Sequence, residues 1–185
     1  YYDMKTDTLQ LSDLQKGMPG ITPVEGAFLQ ENAMVALHKA NHQSPTKVSL
    51  TGTSNKDIQL SWGDSVDQQM LNSYNDEENV EFAAMGISAL LTPYLTDYTV
   101  VMRSRKGTGF DFWLGQKNDP WTMLAVLEVS GIASENANNT MSKRIVAKRE
   151  QIKASDSIGL PQYISVVEMA TPKVHYELFN LPNHE

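Results

Sequence analysis

The sequence predicts an α/β protein, α+β in a looser classification: a mixed central sheet with helices on both sides. Three observations predict it. Strand-period runs at 98–102, 110–114, 123–132, 163–169 and 174–179 are interleaved with helix-period stretches at 77–91 and 141–154. The run 123–132 is almost continuously apolar, as in a buried strand. Finally, 185 residues with 41% apolar content suffice for the core of one domain of ordinary size.

Each element has its own signal. Gly17, Pro19 and Gly20 make the first 20 or so residues an irregular lead-in. Phe28, Leu29, Met34, Val35 and Leu37 recur at helical spacing over 26–41, and the stretch Asn41 to Pro45 stops that helix. Val48 and Leu50, then Ile58, Leu60 and Trp62, alternate with polar residues around a turn at 52–56, which predicts a hairpin. Asp64 is the expected cap of a short helix through Met70 and Leu71, broken at Tyr74. Over 77–91, Asp76 is the expected N-cap, and Glu77, Glu78 and Glu81 lie near the positive end of the helix dipole. Val80, Ala84, Ile87 and Leu91 form one apolar stripe of this helix, and Phe82, Met85 and Ala89 form another. Glu77, Glu81 and Ser88 make a narrow polar seam between them, and Pro93 is expected to end the helix.

Three strands follow, linked by Arg103–Gly109 and by a turn at 117–120. A basic helix at 141–154 is broken by Gly159 to Pro161, and two more strands close the chain. Residues 1–76 thus read as an N-terminal extension, helix plus hairpin. It is expected to pack on a 77–185 core as one compact unit.

Fifteen Lys and Arg against 22 Asp and Glu give a net charge of -7. This argues against a protein that coats nucleic acid by bulk charge. It leaves room for a local basic groove and suits an acidic, metal-binding pocket. The chain has no cysteine, which removes disulfides, thiolate chemistry and cysteine-based zinc sites. No apolar run of about 18 residues is present, so no membrane span is expected. Tyr1-Tyr2-Asp3 has no leader pattern and no initiator Met, so a trimmed or processed cytoplasmic chain is expected.

Two acids stand out by position. In 110–114, period two puts Asp111 and Trp113 on one face and Phe110, Phe112 and Leu114 on the other. In 126–130, Glu128 and Ser130 share a face within a buried strand. A carboxylate there must be paired or bound to a metal. Two carboxylates on neighbouring strands can hold one hard cation such as Mg²⁺ or Mn²⁺. The alternative is that Asp111 and Glu128 form structural ion pairs with Arg103, Arg105 or Lys148.

The order helix, three strands, helix, strand, with Asp111 and Glu128 on the second and third strands, resembles the PD-(D/E)XK nuclease superfamily over 77 to about 170. The resemblance implies a restriction endonuclease-like core and a Mg²⁺-dependent phosphodiesterase acting on DNA. It makes Asp111 and Glu128 the metal ligands and brings Glu81, with Glu77 as second choice, to the site. The third-strand motif there is acid, any residue, lysine. Here it reads Glu128-Val129-Ser130, so the lysine is missing. Lys148 on the basic helix is the expected replacement, orienting water or stabilising phosphate charge, with Gln151 a turn further along supporting it. Lys106 is second. The bland account of Lys148 is a stem lying along the stripe of Met141, Ile145 and Ile152. The stretch Arg103 to Asp111 also resembles one found in uncharacterised bacterial proteins.

Two basic groups remain. Arg103, Arg105 and Lys106 flank Gly107 and Gly109; Lys143, Arg144, Lys148, Arg149 and Lys153 line the basic helix. Both suit phosphate contact, and Arg103, Arg105, Lys106, Arg144 and Gln151 are the candidate substrate-binding residues. A hairpin turn and a solvated helix face are the plain alternatives. His38 and His42 have metal-ligand spacing but no third ligand, and read as a surface pair; His175 and His184 have no partners in sequence. Ser61, Ser130 and Ser165 sit in no nucleophile turn. Trp62, Trp113 and Trp121 read as core or rim residues. The second functional expectation is a non-catalytic module binding a protein partner in a bacterial defence or toxin–antitoxin setting. The third is a small-molecule hydrolase using the same acids.

Overall fold

The computed structural model describes residues 6–182. Tyr1 to Asp3 and His184, named above, lie outside them. The chain runs β1 (Thr8–Gln10), a 3-10 helix (Leu11–Lys16), α1 (Pro23–Lys39), β2 (Thr46–Gly52), β3 (Lys56–Ser61), α2 (Gln68–Ser73) and α3 (Asp76–Leu95). It continues through β4 (Thr99–Arg103), β5 (Phe112–Gly115), β6 (Ala125–Ile132), α4 (Met141–Ile152), a second 3-10 helix (Lys153–Ile158), β7 (Gln162–Glu168) and β8 (Lys173–Asn180). The eight strands form one mixed sheet in the order β1-β3-β2-β8-β7-β6-β5-β4. The protein is therefore α/β with a mixed central sheet.

Period two divides the sheet into faces. Leu127 and Val129 of β6 join Val167, Val174 and Tyr176 in a large core with α1 and α3. Val126 and Ile132 face the other way, joining Ile164, Val166 and the α4 residues Met141, Ile145 and Ile152. Helices thus cover both sides. The hairpin of β2 and β3 continues the sheet: β2 runs parallel to β8 from Ser49↔Lys173 to Gly52↔Tyr176. Helix α1 packs on α3, and Gly86 allows the approach, since a Cβ there would lie 3.0 Å from the Leu29 carbonyl oxygen. Thr22 caps α1 by accepting from the Glu25 N–H at 3.2 Å, with Pro23 at the first helical position.

Several local expectations are corrected. Asn75, not Asp76, caps α3: its side chain accepts from the Glu78 N–H at 2.9 Å, and Asp76 pairs with Lys39 at 2.8 Å. Pro93 does not end α3, which runs to Leu95. In the last turn a proline removes only one hydrogen bond, and Thr92 still accepts from the Thr96 N–H at 2.9 Å. Ser88 is not on a polar seam. It is fully buried and hydrogen-bonded to Ser165 at 2.7 Å, so a paired hydroxyl sits inside the core. Asp67, not Asp64, caps α2. The lead-in has structure: β1 runs parallel to β3, and Leu11 and Leu14 are buried. Trp121 is 86% exposed, not a core or rim residue. Among the described residues no helix is long and apolar enough to cross a membrane.

Candidate active site

The site is built on an overhanging strand end. β5 pairs with β6 from Leu114↔Ala125 to Phe112↔Leu127, and the Asp111 N–H reaches the Leu127 carbonyl at 3.0 Å. On its other side β6 stays paired with β7 as far as Ile132↔Glu168. Past Leu127 the β6 edge therefore loses its β5 neighbour, and its backbone donors need other acceptors. Asp111 supplies one: its Oδ2 accepts from the Val129 N–H at 2.8 Å. The Glu81 carboxylate, from the first turns of α3, stands near the Gly131 N–H, which favours its charged form. Residue 131 must be glycine for α3 to come this close, because a Cβ would lie 2.6 Å from the Val80 carbonyl oxygen.

Asp111 lies just before β5 instead of within it, and the chain bends there. Phe110 accordingly packs edge-on against Trp113, ring centroids 4.9 Å apart, on the α4 side. Strict alternation would have put it with Phe112 and Leu114.

Glu128 and Ser130 face α4, whose residues 144, 148 and 151 share one face at helical spacing. Glu128 is 2% exposed. Its Oε1 accepts from Lys148 Nζ at 2.6 Å and from Gln151 Nε2 at 2.9 Å, while Lys148 also donates to Gln151 Oε1 at 3.0 Å. Ser130, fully buried, accepts from an Arg144 guanidinium nitrogen at 2.7 Å.

The electrostatics follow from dryness and crowding. Burial, with the Asp111 carboxyl beside it, pushes Glu128 up to about 8, against the pull of Lys148. The upward direction and the ion pair oppose each other; water exclusion is the larger influence. Glu81 keeps solvent access, yet the surrounding protein raises its pKa, with Asp111 adding to the rise. Lys148, Arg144 and the Gly131 N–H act against it. Glu81 thus feels the charges of Asp111, Lys148 and Arg144, and Glu128 those of Asp111 and Lys148. Carboxylate oxygens suit Mg²⁺, which binds through one or two carboxylates and keeps waters or substrate oxygens in its other positions. Among the described residues no group of three His, Cys, Asp or Glu is poised to hold a metal, so Glu81 does not complete a three-acid ligand set.

The β4–β5 link walls an open cavity of about 600 Å³ in which Arg103, Arg105 and Lys106 stand with Asp111, Glu128 and Gln151. The link is folded on itself: Ser104 and Thr108 share a hydroxyl–hydroxyl bond, and the Thr108 hydroxyl is also 3.0 Å from the Arg105 carbonyl. Gly109, at φ +87°, packs where a Cβ would meet the Gln151 carbonyl at 2.9 Å. Arg103 leans on the Phe112 ring and stands 3.9 Å from Glu25.

Of the expected site residues, Glu81, Asp111, Glu128, Lys148, Arg144 and Gln151 come together, and Arg103, Arg105 and Lys106 line the adjoining cavity. Lys148 pairs with Glu128, so the plain ion-pair expectation is also met at that acid. Other helix charges are used elsewhere: Arg149 grips Glu177 at 2.7 and 2.6 Å, and Lys153 pairs with Glu150. His42 is 2.8 Å from the Met169 carbonyl, and His175 bridges Thr51 and Glu177. Sequence reasoning missed Ser130 as a seat for an arginine; its signal was a hydroxyl inside an apolar strand. No protein-family model, curated protein or solved structure matches this chain.

Proposed function

We propose that the protein is a Mg²⁺-dependent phosphodiesterase acting on DNA, built on a nuclease-like core of α3, β4, β5, β6, α4 and β7. One observation carries the reading: Asp111 and Glu128 meet at the unpaired end of β6, opposite a lysine and a glutamine from α4, with Glu81 of α3 feeling the Asp111 charge. Glu128 is buried with the Asp111 carboxyl beside it, and such crowding of like charge is costly for folding alone. The element order and the antiparallel β4-β5-β6 run followed by parallel β7 support the same core.

Asp111 and Glu128 are the residues to hold the ion, which when bound polarises a phosphoryl oxygen and acidifies a coordinated water. In hydrolysis a water oxygen bonds to phosphorus, the bond from phosphorus to the leaving sugar oxygen breaks, and one water proton is removed while one is gained by the leaving oxygen. Glu81, accessible and raised, is the residue to take up the water proton. Lys148 keeps Glu128 oriented and lies next to the developing charge, with Gln151 fixing both. Arg103, Arg105 and Lys106 hold flanking phosphates.

Mn²⁺ titration by calorimetry tests this. Wild type is expected to bind, whereas folded Asp111→Asn and Glu128→Gln are expected to lose binding, and Mg²⁺-dependent cleavage of a DNA duplex is expected to disappear with it. Equal binding in all three proteins would sink the reading. The net charge of -7 and the closed Lys148–Glu128 pair favour a second reading, a non-catalytic module for a protein partner.

A further inference from the structure

We infer that Arg144, seated by Ser130, supplies the fixed positive charge that meets the non-bridging oxygens of the phosphodiester. This rests on the phosphodiesterase reading above. Ser130 occupies the third position of Glu128-Val129-Ser130, is fully buried, and can carry no charge itself. Its hydroxyl instead accepts from Arg144 at 2.7 Å. The same guanidinium is 3.4 Å from the Gly131 carbonyl and donates to Asn139 Oδ1 at 3.0 Å.

Three neutral acceptors hold Arg144, and among the described residues no carboxylate forms an ion pair with it. Its neighbours on α4 differ. Lys148 is committed to Glu128 at 2.6 Å, and Arg149 to Glu177 at 2.6 Å. Arg144 is therefore a positioned cation on the inner side of α4 that makes no contact ion pair among the described residues. It stands beside Gly131 and its charge favours the ionised form of Glu81, so it lies at the acidic end of β6.

A guanidinium has five N–H donors in a planar fork, and that fork matches two oxygens of a phosphate. As water bonds to phosphorus and the leaving sugar oxygen departs, negative charge spreads over the non-bridging oxygens. Arg144 hydrogen-bonds to these oxygens and moves no proton. Holding the cation with neutral acceptors leaves its charge available and avoids reorganisation during the reaction.

The test compares wild type, Arg144→Ala, Arg144→Lys, Ser130→Ala and a control, Lys143→Ala, in Mg²⁺-dependent cleavage of a short DNA duplex. Arg144→Ala is expected to lower kcat on the order of 100-fold with little change in KM. Added guanidinium is expected to restore part of the lost rate, which a merely structural role would not allow. Arg144→Lys is expected to stay low, because an ammonium lacks the fork, and Ser130→Ala to show a smaller loss. Mn²⁺ binding by calorimetry is expected to persist in Arg144→Ala. An active wild type with an equally active Arg144→Ala overturns this inference alone. So does an Arg144→Ala that has lost Mn²⁺ binding and is not rescued by guanidinium. A folded wild type that neither binds Mn²⁺ nor cleaves the duplex overturns the phosphodiesterase reading, and this inference falls with it.

Discussion

Glu128 carries its carboxyl into a place from which water is largely excluded, beside Asp111, and its pKa rises from 4.5 to about 8. An acid with a raised folded-state pKa binds its proton more tightly when folded. Between about pH 4.5 and 8 the folded state then holds more protons than the unfolded state, so stability falls as pH rises through this window. Glu128→Gln removes that dependence. Without metal, the stability of Glu128→Gln minus that of wild type is expected to grow from pH 5 to pH 8, on the order of a few kcal/mol. Urea denaturation at several pH values measures it; a difference that stays flat would contradict the raised pKa. The position of Glu128 was readable from one strand, since an acid between Leu127 and Val129 in an apolar run must face something polar. The partners were less readable. Nothing local to Ser130 announces an arginine fourteen residues later.

Helix α3 does two jobs: its middle is buried on both sides, from Ala83 to Thr92, and its start delivers Glu81 to β6. Both depend on where the helix begins. Asn75 fixes that point by accepting from the Glu78 N–H and donating to Glu78 Oε2 at 2.6 Å. Asn75→Ala is expected to cost about 1 kcal/mol in chemical denaturation. A change near zero would mean that tertiary packing alone sets the start of α3. The period-3.6 pattern was enough to find this helix, but not its cap, because Asn75 and Asp76 are both good N-cap residues and only the backbone geometry separates them. The same limit applies to Pro93, where the sequence carries a stop signal that packing overrides within the last turn. At 110–111 a strand pattern concealed a bend, and that bend turns the Asp111 carboxylate onto the edge of β6.

Across the whole molecule, β2 zips to β8 and α1 lies on α3, so residues before 77 contribute to the same sheet and the same core as those after it. Unfolding followed by far-ultraviolet circular dichroism and by tryptophan fluorescence is expected to give coincident single transitions. A chain starting at residue 77 is expected to lose cooperative unfolding, because α3 and β8 would expose faces now buried. Two separate transitions in the full-length protein would show that the hairpin and α1 fold as an independent unit.

The sequence by itself determined the type of every element after the lead-in that carries the site, the sheet-and-helix class and the short roll of acids and bases worth following. Period and composition are local quantities, and they survive in the folded chain because each apolar stripe has one way to leave water. Tertiary structure alone decided the strand order, the overhang of β6 beyond β5, and the meeting of Glu81, Asp111 and Glu128 with Lys148, Gln151 and Arg144. Those depend on contacts between residues up to dozens of positions apart, which no local pattern encodes. They arise where a strand runs past its neighbour and its unpaired backbone N–H groups must find acceptors.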